Sequence, residues 1–194
     1  KAIRVYAQDA SAYADYKVKV NVHTQRPDTF IWQSLTQANA KLAALNSMKA
    51  VSAGGKVVLF GKNAAGALEM FKSENGKQWE EISTTANLGN HAVDNIVAFD
   101  NALYVLNPET HQLLKSTDAA NWTLVGTFAS LKQLIGAGSK NLYAYSGNDE
   151  GVTGISVSTD KGASWTAEQL DADAKYLPVS NINMSYSAVR STKD

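Results

Sequence analysis

The chain has 194 residues, its 18 Lys and Arg residues balance its 18 Asp and Glu residues, and it contains no cysteine. Zero net charge argues against a general binder of nucleic acid or anionic membranes, because such binding needs an excess of cations. The lack of cysteine excludes a disulfide framework, a thiolate zinc site and a cysteine nucleophile, and no apolar run approaches the roughly 18 residues of a membrane span.

Residues 1–24 predict a β-hairpin. Apolar and polar residues alternate over residues 3–7 and again over residues 16–22, as in half-buried strands, and a polar turn runs from Asp9 to Asp15. With its alternating valines, this segment resembles the C-terminal hairpin of the immunoglobulin-like or cadherin-like sandwich domains of bacterial surface proteins. Two strands alone are too few to bury a face, so we expect the hairpin to need further partners.

Residues 25–194 are assigned to a second domain. The linker sequence TQRPDT contains Pro27, which ends the preceding strand. Residues 29–35, with Trp32 as an aromatic anchor, predict a strand that closes a ring formed by the rest of the domain. The following residues, 36–46, could form a single helical turn or an ordered loop, and we expect a loop.

The remainder of the chain is repetitive. Trp79, Trp122 and Trp165 lie 43 residues apart, and each follows an apolar strand, an alternating strand and a polar turn. Self-similarity at a fixed period indicates a repeat architecture. The first strand of the second repeat is predicted to begin at Val93. The predicted four-stranded units span about residues 47–84, 91–127 and 131–171, and a further unit starts within residues 176–194.

Each unit contains one polar turn between its third and fourth strands, which we name the Ser–Trp hairpin. Short polar side chains after the serine can bond neighbouring backbone N–H groups, and glycine accepts a positive φ. The tryptophan supplies a packing face and an indole N–H for a carbonyl. The hairpin residues are Ser73, Asn75, Gly76 and Trp79 in the first unit, Ser116, Asp118 and Trp122 in the second, and Ser158, Asp160, Gly162 and Trp165 in the third.

The third hairpin, STDKGASW, resembles the Asp box (BNR repeat) of sialidase-like and sortilin-like β-propellers at all eight positions. The first hairpin is one residue shorter, and the second has Ala119 and Ala120 in place of glycine. Four short antiparallel strands in about forty residues are the content of one propeller blade. The predicted fold class is therefore all-β: a partial β-propeller of four-stranded antiparallel blades with Asp-box hairpins, preceded by the end of an Ig-like sandwich. We expect further blades beyond Asp194.

The resemblance extends along the chain. The N-terminal hairpin, the HTQRPDTFIW junction, the Asp-box repeats and the segment LPVSNINMSYSAVRSTKD are together similar to a family of uncharacterised two-domain envelope proteins of Gram-negative gut anaerobes. That family is labelled cell adhesion or domain of unknown function. The resemblance implies a secreted or surface-exposed protein, lipid-anchored through a missing N-terminus, and it brings no catalytic residues.

The hairpin residues have competing interpretations. Asp118, Asp160 and Asn75 could bind calcium or act as acid and base, but turn capping is favoured for a carboxylate two residues after a hairpin serine. The tryptophans could stack on sugars, but at one fixed place per unit we expect them to be buried between blades. The three histidines are scattered without the spacing of a metal site. We therefore predict no catalytic residue, metal site or cofactor in this chain.

Two function classes remain. The first is a non-catalytic surface binding or adhesion propeller for a glycan or a protein, with its site in the loops that join the second and third strands. The candidate residues of this rim are Asn63, Glu109, Asn148 and Asp149. The alternative is a module of a sialidase-like glycoside hydrolase whose catalytic residues lie outside this chain. Such enzymes grip a substrate carboxylate with several arginines, and only Arg4, Arg26 and Arg190 are present here.

Overall fold

The computed structural model describes residues 2–9, 11–19 and 39–178, together with residues 180, 182, 184 and 186. The chain divides into two compact units, Lys1–Ser34 and Leu35–Asp194. The predicted linker and the predicted closing strand over residues 29–35 lie outside the described residues.

The first unit contains an antiparallel hairpin of β1 (Ala2–Tyr6) and β2 (Tyr13–Lys17). The prediction that the second strand spans residues 16–22 is wrong at its start, and residues 20–22 lie outside the described residues. The reason is the turn: Asp9 Oδ1 accepts hydrogen bonds from the backbone N–H of Ser11 at 3.1 Å and from its hydroxyl at 2.6 Å. This Asx-type closure shortens the connection, so strand pairing begins early.

Side chains of this hairpin pair across the strands. Arg4 donates two hydrogen bonds to Asp15, at 2.6 and 2.7 Å, and its guanidinium lies 4.0 Å from the centre of the Tyr13 ring. On the other face Ile3 lies opposite Tyr16, and both side chains are exposed. Two strands therefore leave an apolar face uncovered, as expected.

The described part of the second unit contains three antiparallel sheets of four strands, and the strand order in each follows the chain. We call these sheets the first, second and third blades. This confirms the predicted all-β fold with four-stranded antiparallel blades. The strands are β3 (Ser47–Ala53), β4 (Lys56–Lys62), β5 (Leu68–Ser73) and β6 (Glu80–Ile82); β7 (Ile96–Phe99), β8 (Ala102–Asn107), β9 (Gln112–Ser116) and β10 (Thr123–Thr127); and β11 (Leu131–Ala137), β12 (Leu142–Asn148), β13 (Gly151–Ser158) and β14 (Thr166–Ala167).

Neighbouring blades pack face to face. Successive side chains of a strand point to opposite faces of its sheet, so one strand can serve two interfaces. Phe60 of the first blade and Leu103 of the second share one core cluster, whereas Tyr104 of the second blade and Leu142 of the third share another. Because the second blade is covered on both faces, every residue of β8 is buried.

The first strands of the three blades, β3, β7 and β11, lie next to one another. Since consecutive strands of a blade run in opposite directions, the starts of these first strands share one end with the loops between second and third strands. We call this the upper end. The turns between first and second strands lie at the opposite, lower end, together with the Ser–Trp hairpins.

The loop predicted over residues 36–46 is interrupted by one helical turn, α1 (Ala40–Ala43), so the prediction is wrong there. Asn39 caps this turn, because its Oδ1 accepts the backbone N–H groups of Lys41 at 3.0 Å and Leu42 at 3.2 Å. Leu42 is then only 1% exposed and packs on the outward face of the first blade. The turn covers a sheet face that a loop without an apolar anchor would leave open.

The prediction that the second blade's first strand begins at Val93 is also wrong. A helical turn, α2 (Ala92–Asn95), precedes β7, which begins at Ile96. The Asn95 side chain donates to the carbonyl of His91 at 3.1 Å, and it holds the turn closed.

The predicted start of a further blade, residues 176–194, lies largely outside the described residues. A short 3₁₀ helix spans Ala174–Tyr176. In this segment Ile182 is partly buried, whereas Met184 is 37% and Tyr186 is 54% exposed. Met184 lies close to Gly136, where a Cβ would come within 2.6 Å of the methionine Cβ. The absence of a side chain at Gly136 therefore makes room for this contact with β11.

Candidate functional site

An open depression of about 650 Å³ lies at the upper end of the blades. It forms where the first strands begin: Lys49 comes from β3, Lys132 and Gln133 come from β11, and Asp94 and Asn95 come from α2. Residues of all three blades therefore line one cavity, which has the volume of a typical small-molecule site.

Asn95 organises one wall of this depression. It is only 3% exposed, and its Oδ1 accepts the backbone N–H of Leu134 at 3.0 Å while its Nδ2 donates to the carbonyl of His91. A second bond runs from the Gln133 side chain to the carbonyl of Asp94 at 3.5 Å. These bonds fasten α2 to β11. Sequence reasoning missed Asn95, and its only signal was a polar residue at the start of an apolar run.

The lysines of the depression have no carboxylate partner among the described residues, whereas its carboxylate lies near a histidine. Lys49 is partly buried, and burial lowers its pKa, although the negative charge of Asp94 acts in the opposite direction. Lys132 is partly buried as well. Among the described residues, neither lysine has a carboxylate within ion-pair distance. Asp94 is instead 3.9 Å from His91 Nδ1.

The predicted rim residues also lie at the upper end, where the side chains of Asn63 and Asn148 accept hydrogen bonds from their own loops. The Asn63 amide oxygen accepts the backbone N–H groups of Ala65 and Ala67, each at 3.0 Å. The Asn148 side chain accepts the N–H of Glu150 at 2.9 Å. These asparagines close their loops in the manner of Asx turns. Asp149 is exposed beside Asn148.

Glu109, the remaining predicted rim residue, borders a second depression of about 470 Å³. Glu69 and Glu81 also line it. Each of the three carboxylates has its own partner: Asn90 donates to Glu109 at 3.3 Å, Asn63 to Glu69 at 2.9 Å and Lys41 to Glu81 at 2.6 Å. Each carboxylate is therefore engaged by a different donor.

At the lower end, the three Ser–Trp hairpins share one hydrogen-bond pattern. Each serine is at most 3% exposed. Its hydroxyl donates to the Asp or Asn two residues later, at 3.4, 3.0 and 2.8 Å in the first, second and third hairpins. The same Asp or Asn accepts backbone N–H groups that follow it in the turn. The short polar side chains therefore satisfy the backbone of the turn.

The residue three before each tryptophan lies in the left-handed region, with φ of 72° at Gly76, 64° at Ala119 and 90° at Gly162. Its N–H donates to the hairpin serine at 2.8, 2.9 and 2.8 Å, and its carbonyl accepts the indole N–H at 3.1, 2.8 and 3.1 Å. The alanine of the second hairpin thus adopts a conformation that favours glycine. The shared bonds impose it.

The tryptophans are partly buried, and each packs on a core cluster. Trp122 of the second blade meets Phe60 of the first edge to face, with ring centroids 6.4 Å apart. Trp165 of the third blade meets Phe128, which follows the second blade, at 6.3 Å. Each of these two tryptophans therefore joins its own hairpin to the preceding blade. Trp79 packs on the cluster that contains Leu42.

The family model for the DUF6242 beta propeller domain matches residues 26–194. The chain belongs to this family. A comparison with curated protein sequences found no match. Membership agrees with the three four-stranded blades of the second unit.

Two carboxylates of this DUF6242 propeller have strongly lowered pKa values. The pKa of Asp118 falls to about 2, chiefly because the backbone and side chain of Asn121 donate to it. The pKa of Asp160 falls to about 2 because the hydroxyl and backbone N–H of Ser164 and the hydroxyl of Ser158 donate to it. Hydrogen bonds to the ionised form stabilise it. Asn75, which has no charge to titrate, takes this place in the first hairpin.

Within the described residues of the propeller domain, no group of three or more His, Asp or Glu side chains could hold a metal ion. His91 lines the upper depression, and His111 is partly buried with its Nδ1 unpartnered. His23 lies outside the described residues. In the described part of the chain, no helix has the length and apolar character of a membrane span.

Proposed function

We propose that this propeller domain is a non-catalytic binding module that takes its ligand in the upper depression. The observation that carries the proposal is the convergence of polar side chains from three blades on one open cavity, where Lys49 and Lys132 lack a carboxylate partner among the described residues. Unpaired, partly buried cations have a free-energy cost that a ligand can reduce. Fold alone does not give function, and these side chains supply the support.

Hydrolase activity has less support. A sialidase-like enzyme would need several arginines around a substrate carboxylate. Arg4 is already paired with Asp15, and Arg26 and Arg190 lie outside the described residues. Glu69, Glu81 and Glu109 each have a separate partner. We therefore expect no turnover of a fluorogenic sialoside by the 194-residue chain, and turnover that is lost on changing a residue of the upper depression would contradict the proposal.

We further infer that the three Ser–Trp hairpins are Asp boxes with a structural role. The shared serine, left-handed residue and indole hydrogen bonds support this inference. The hairpins lie at the lower end, opposite the depression. They are therefore not expected to contact a ligand bound there.

We also propose that the protein binds its ligand at the cell envelope. The support is the resemblance to two-domain envelope proteins, in which an Ig-like module precedes the propeller. Protease treatment of intact cells of the source organism tests this proposal. We expect the protein to be cleaved without lysis, and protection until the cells are lysed would contradict a surface location.

The test of the proposed function compares two substitutions of serine by tryptophan. Ser47 lines the depression at the start of β3, and Ser139 is exposed in the turn that follows β11 at the lower end. Wild type, Ser47→Trp and Ser139→Trp are assayed on a glycan array and in a pull-down. We expect Ser47→Trp to remove the binding that wild type and Ser139→Trp retain. Equal binding by Ser47→Trp would show that the ligand lies elsewhere.

A further inference from the structure

We propose that the ligand of the upper depression is an acidic saccharide whose carboxylate pairs with Lys49 and Lys132. This inference rests on the proposed function and names the ligand class. The two lysines come from different blades, the first and the third, and both line the cavity. A ligand between them therefore contacts two first strands at once.

The charge balance favours an anion. Among the residues that the structure describes, the depression is lined by two lysines and one carboxylate, that of Asp94, while the whole chain has no net charge. The cationic character is thus local to this cavity and does not reflect a basic protein. An anion that pairs with lysine amines forms charge-assisted hydrogen bonds, which are stronger than those between neutral groups.

The state of Lys49 points the same way. Burial lowers the pKa of its amine, because the charged form loses hydration without gaining a close partner. A bound carboxylate would supply that partner. Asp94 acts on Lys49 only through its charge, and its nearest ion-pair contact is His91 at 3.9 Å.

The other polar groups favour a sugar over inorganic phosphate. Asp94 is a hydrogen-bond acceptor, which suits ligand hydroxyl groups and repels a dianion. Gln133 and Ser47 also line the cavity and can both donate and accept. A ligand with several hydroxyl groups and well-separated carboxylates matches this mixture better than a compact dianion does. The volume of about 650 Å³ leaves room for more than one sugar ring.

The experiment uses matched pairs of probes that differ in charge. Trigalacturonate is compared with its full methyl ester, and 3′-sialyllactose with lactose, by isothermal titration calorimetry on the 194-residue chain. Inorganic phosphate and a short peptide with a free C-terminal carboxylate serve as competitors. We expect one of the acidic sugars to bind and its neutral counterpart to bind at least about tenfold more weakly, because the charge-assisted bonds are lost.

The variants are Lys49→Gln and Lys132→Gln, with Lys140→Gln as the control. Lys140 is exposed in the turn after β11, at the lower end. We expect each of the first two changes to weaken binding about tenfold and the control to leave it unchanged. Thermal unfolding midpoints close to wild type would show that the lost affinity does not come from misfolding.

Several outcomes would overturn the inference. These are no binding of either acidic sugar, equal binding of the neutral partners, equal loss in Lys140→Gln, or displacement by phosphate or by the peptide at lower concentration than the sugar. The proposed function can fail separately. If neutral and acidic sugars bind alike and Ser47→Trp abolishes binding, the depression is the site but the ligand class is wrong. If Ser47→Trp leaves sugar binding intact, both are wrong.

Discussion

The upper and lower ends of the blades use polar residues in opposite ways. At the lower end, the same serine, Asp or Asn, and tryptophan recur in each blade. The serine hydroxyl donates to the Asp or Asn, and the indole N–H donates to a backbone carbonyl of the same turn. At the upper end, the residues lining the depression differ from blade to blade, and its lysines have no carboxylate partner in the described part of the chain. Repeated residues serve the blade itself, whereas unrepeated, unpaired residues remain free for a ligand.

The largest effect that tests this division is expected from Trp122→Ala. The change removes the contact with Phe60 and the indole hydrogen bond to Ala119. We expect a loss of about 3 kcal/mol in the free energy of unfolding, measured by urea titration. Leu124→Ala, on the adjoining strand at 55% exposure, is the control and should cost at most about 0.5 kcal/mol. Equal losses would mean that the tryptophan does not hold the blades together.

Gly162→Ala comes next. The residue has φ of 90°, and an added Cβ would lie 2.6 Å from Leu113 Cδ2 of the preceding blade. Backbone strain and overpacking together should cost about 2 kcal/mol in urea unfolding. Gly154→Ala in β13 is the matched control, because its nearest contact would be an ordinary 3.8 Å. A stability of Gly162→Ala close to that of Gly154→Ala would contradict the close approach of the third hairpin to the second blade.

A smaller loss in the free energy of unfolding is expected at acidic pH. The pKa values of Asp118 and Asp160 are about 2 in the folded chain, below the ordinary value of 3.8. Each carboxylate therefore contributes stability that is complete above the ordinary pKa and is lost as the pH falls from 3.8 toward about 2. Urea unfolding of wild type should weaken across this window, and the double variant Asp118→Asn, Asp160→Asn should weaken less. Parallel profiles for the two proteins would count against these hydrogen bonds.

The smallest effect is expected from Ala119→Gly, at the position that corresponds to Gly162. Glycine relieves the positive φ of 64°, but the change removes a fully buried methyl group and raises the entropy of the unfolded chain. These contributions nearly cancel, so the free energy of unfolding should stay within about 0.5 kcal/mol of wild type. A gain well above this value would mean that the alanine is strongly strained.

The lower end was the more predictable part of the molecule. The even spacing of Trp79, Trp122 and Trp165 predicted four-stranded blades. The turns were recognisable because their hydrogen bonds join residues that are close together in the sequence. Ala119 shows a limit: the sequence offered no glycine, yet the hydrogen bonds of the hairpin impose a left-handed residue there. Shared bonds overrode the local preference of one residue.

The upper end depends on distant contacts, which sequence patterns did not reveal. Asn95 bonds to Leu134, 39 residues later, and this contact requires two blades to be packed already. Lys49 and Lys132 line one cavity for the same reason. The sequence did not decide between a helical turn and a loop at Ala40–Ala43, because four residues give too short a period to recognise, and burial of Leu42 favours the turn. The predicted rim loops lie at this end, but sequence alone did not identify the depression.

The central claim is that a ligand contacts the upper end and leaves the lower end untouched. The most direct test is a map of amide chemical shifts of the 194-residue chain by NMR as trigalacturonate or 3′-sialyllactose is added. We expect shifts at Lys49, Asn95 and Gln133 and none at the hairpin residues Gly76 and Ala119. Shifts concentrated at the hairpins, with the starts of the first strands unchanged, would contradict the account.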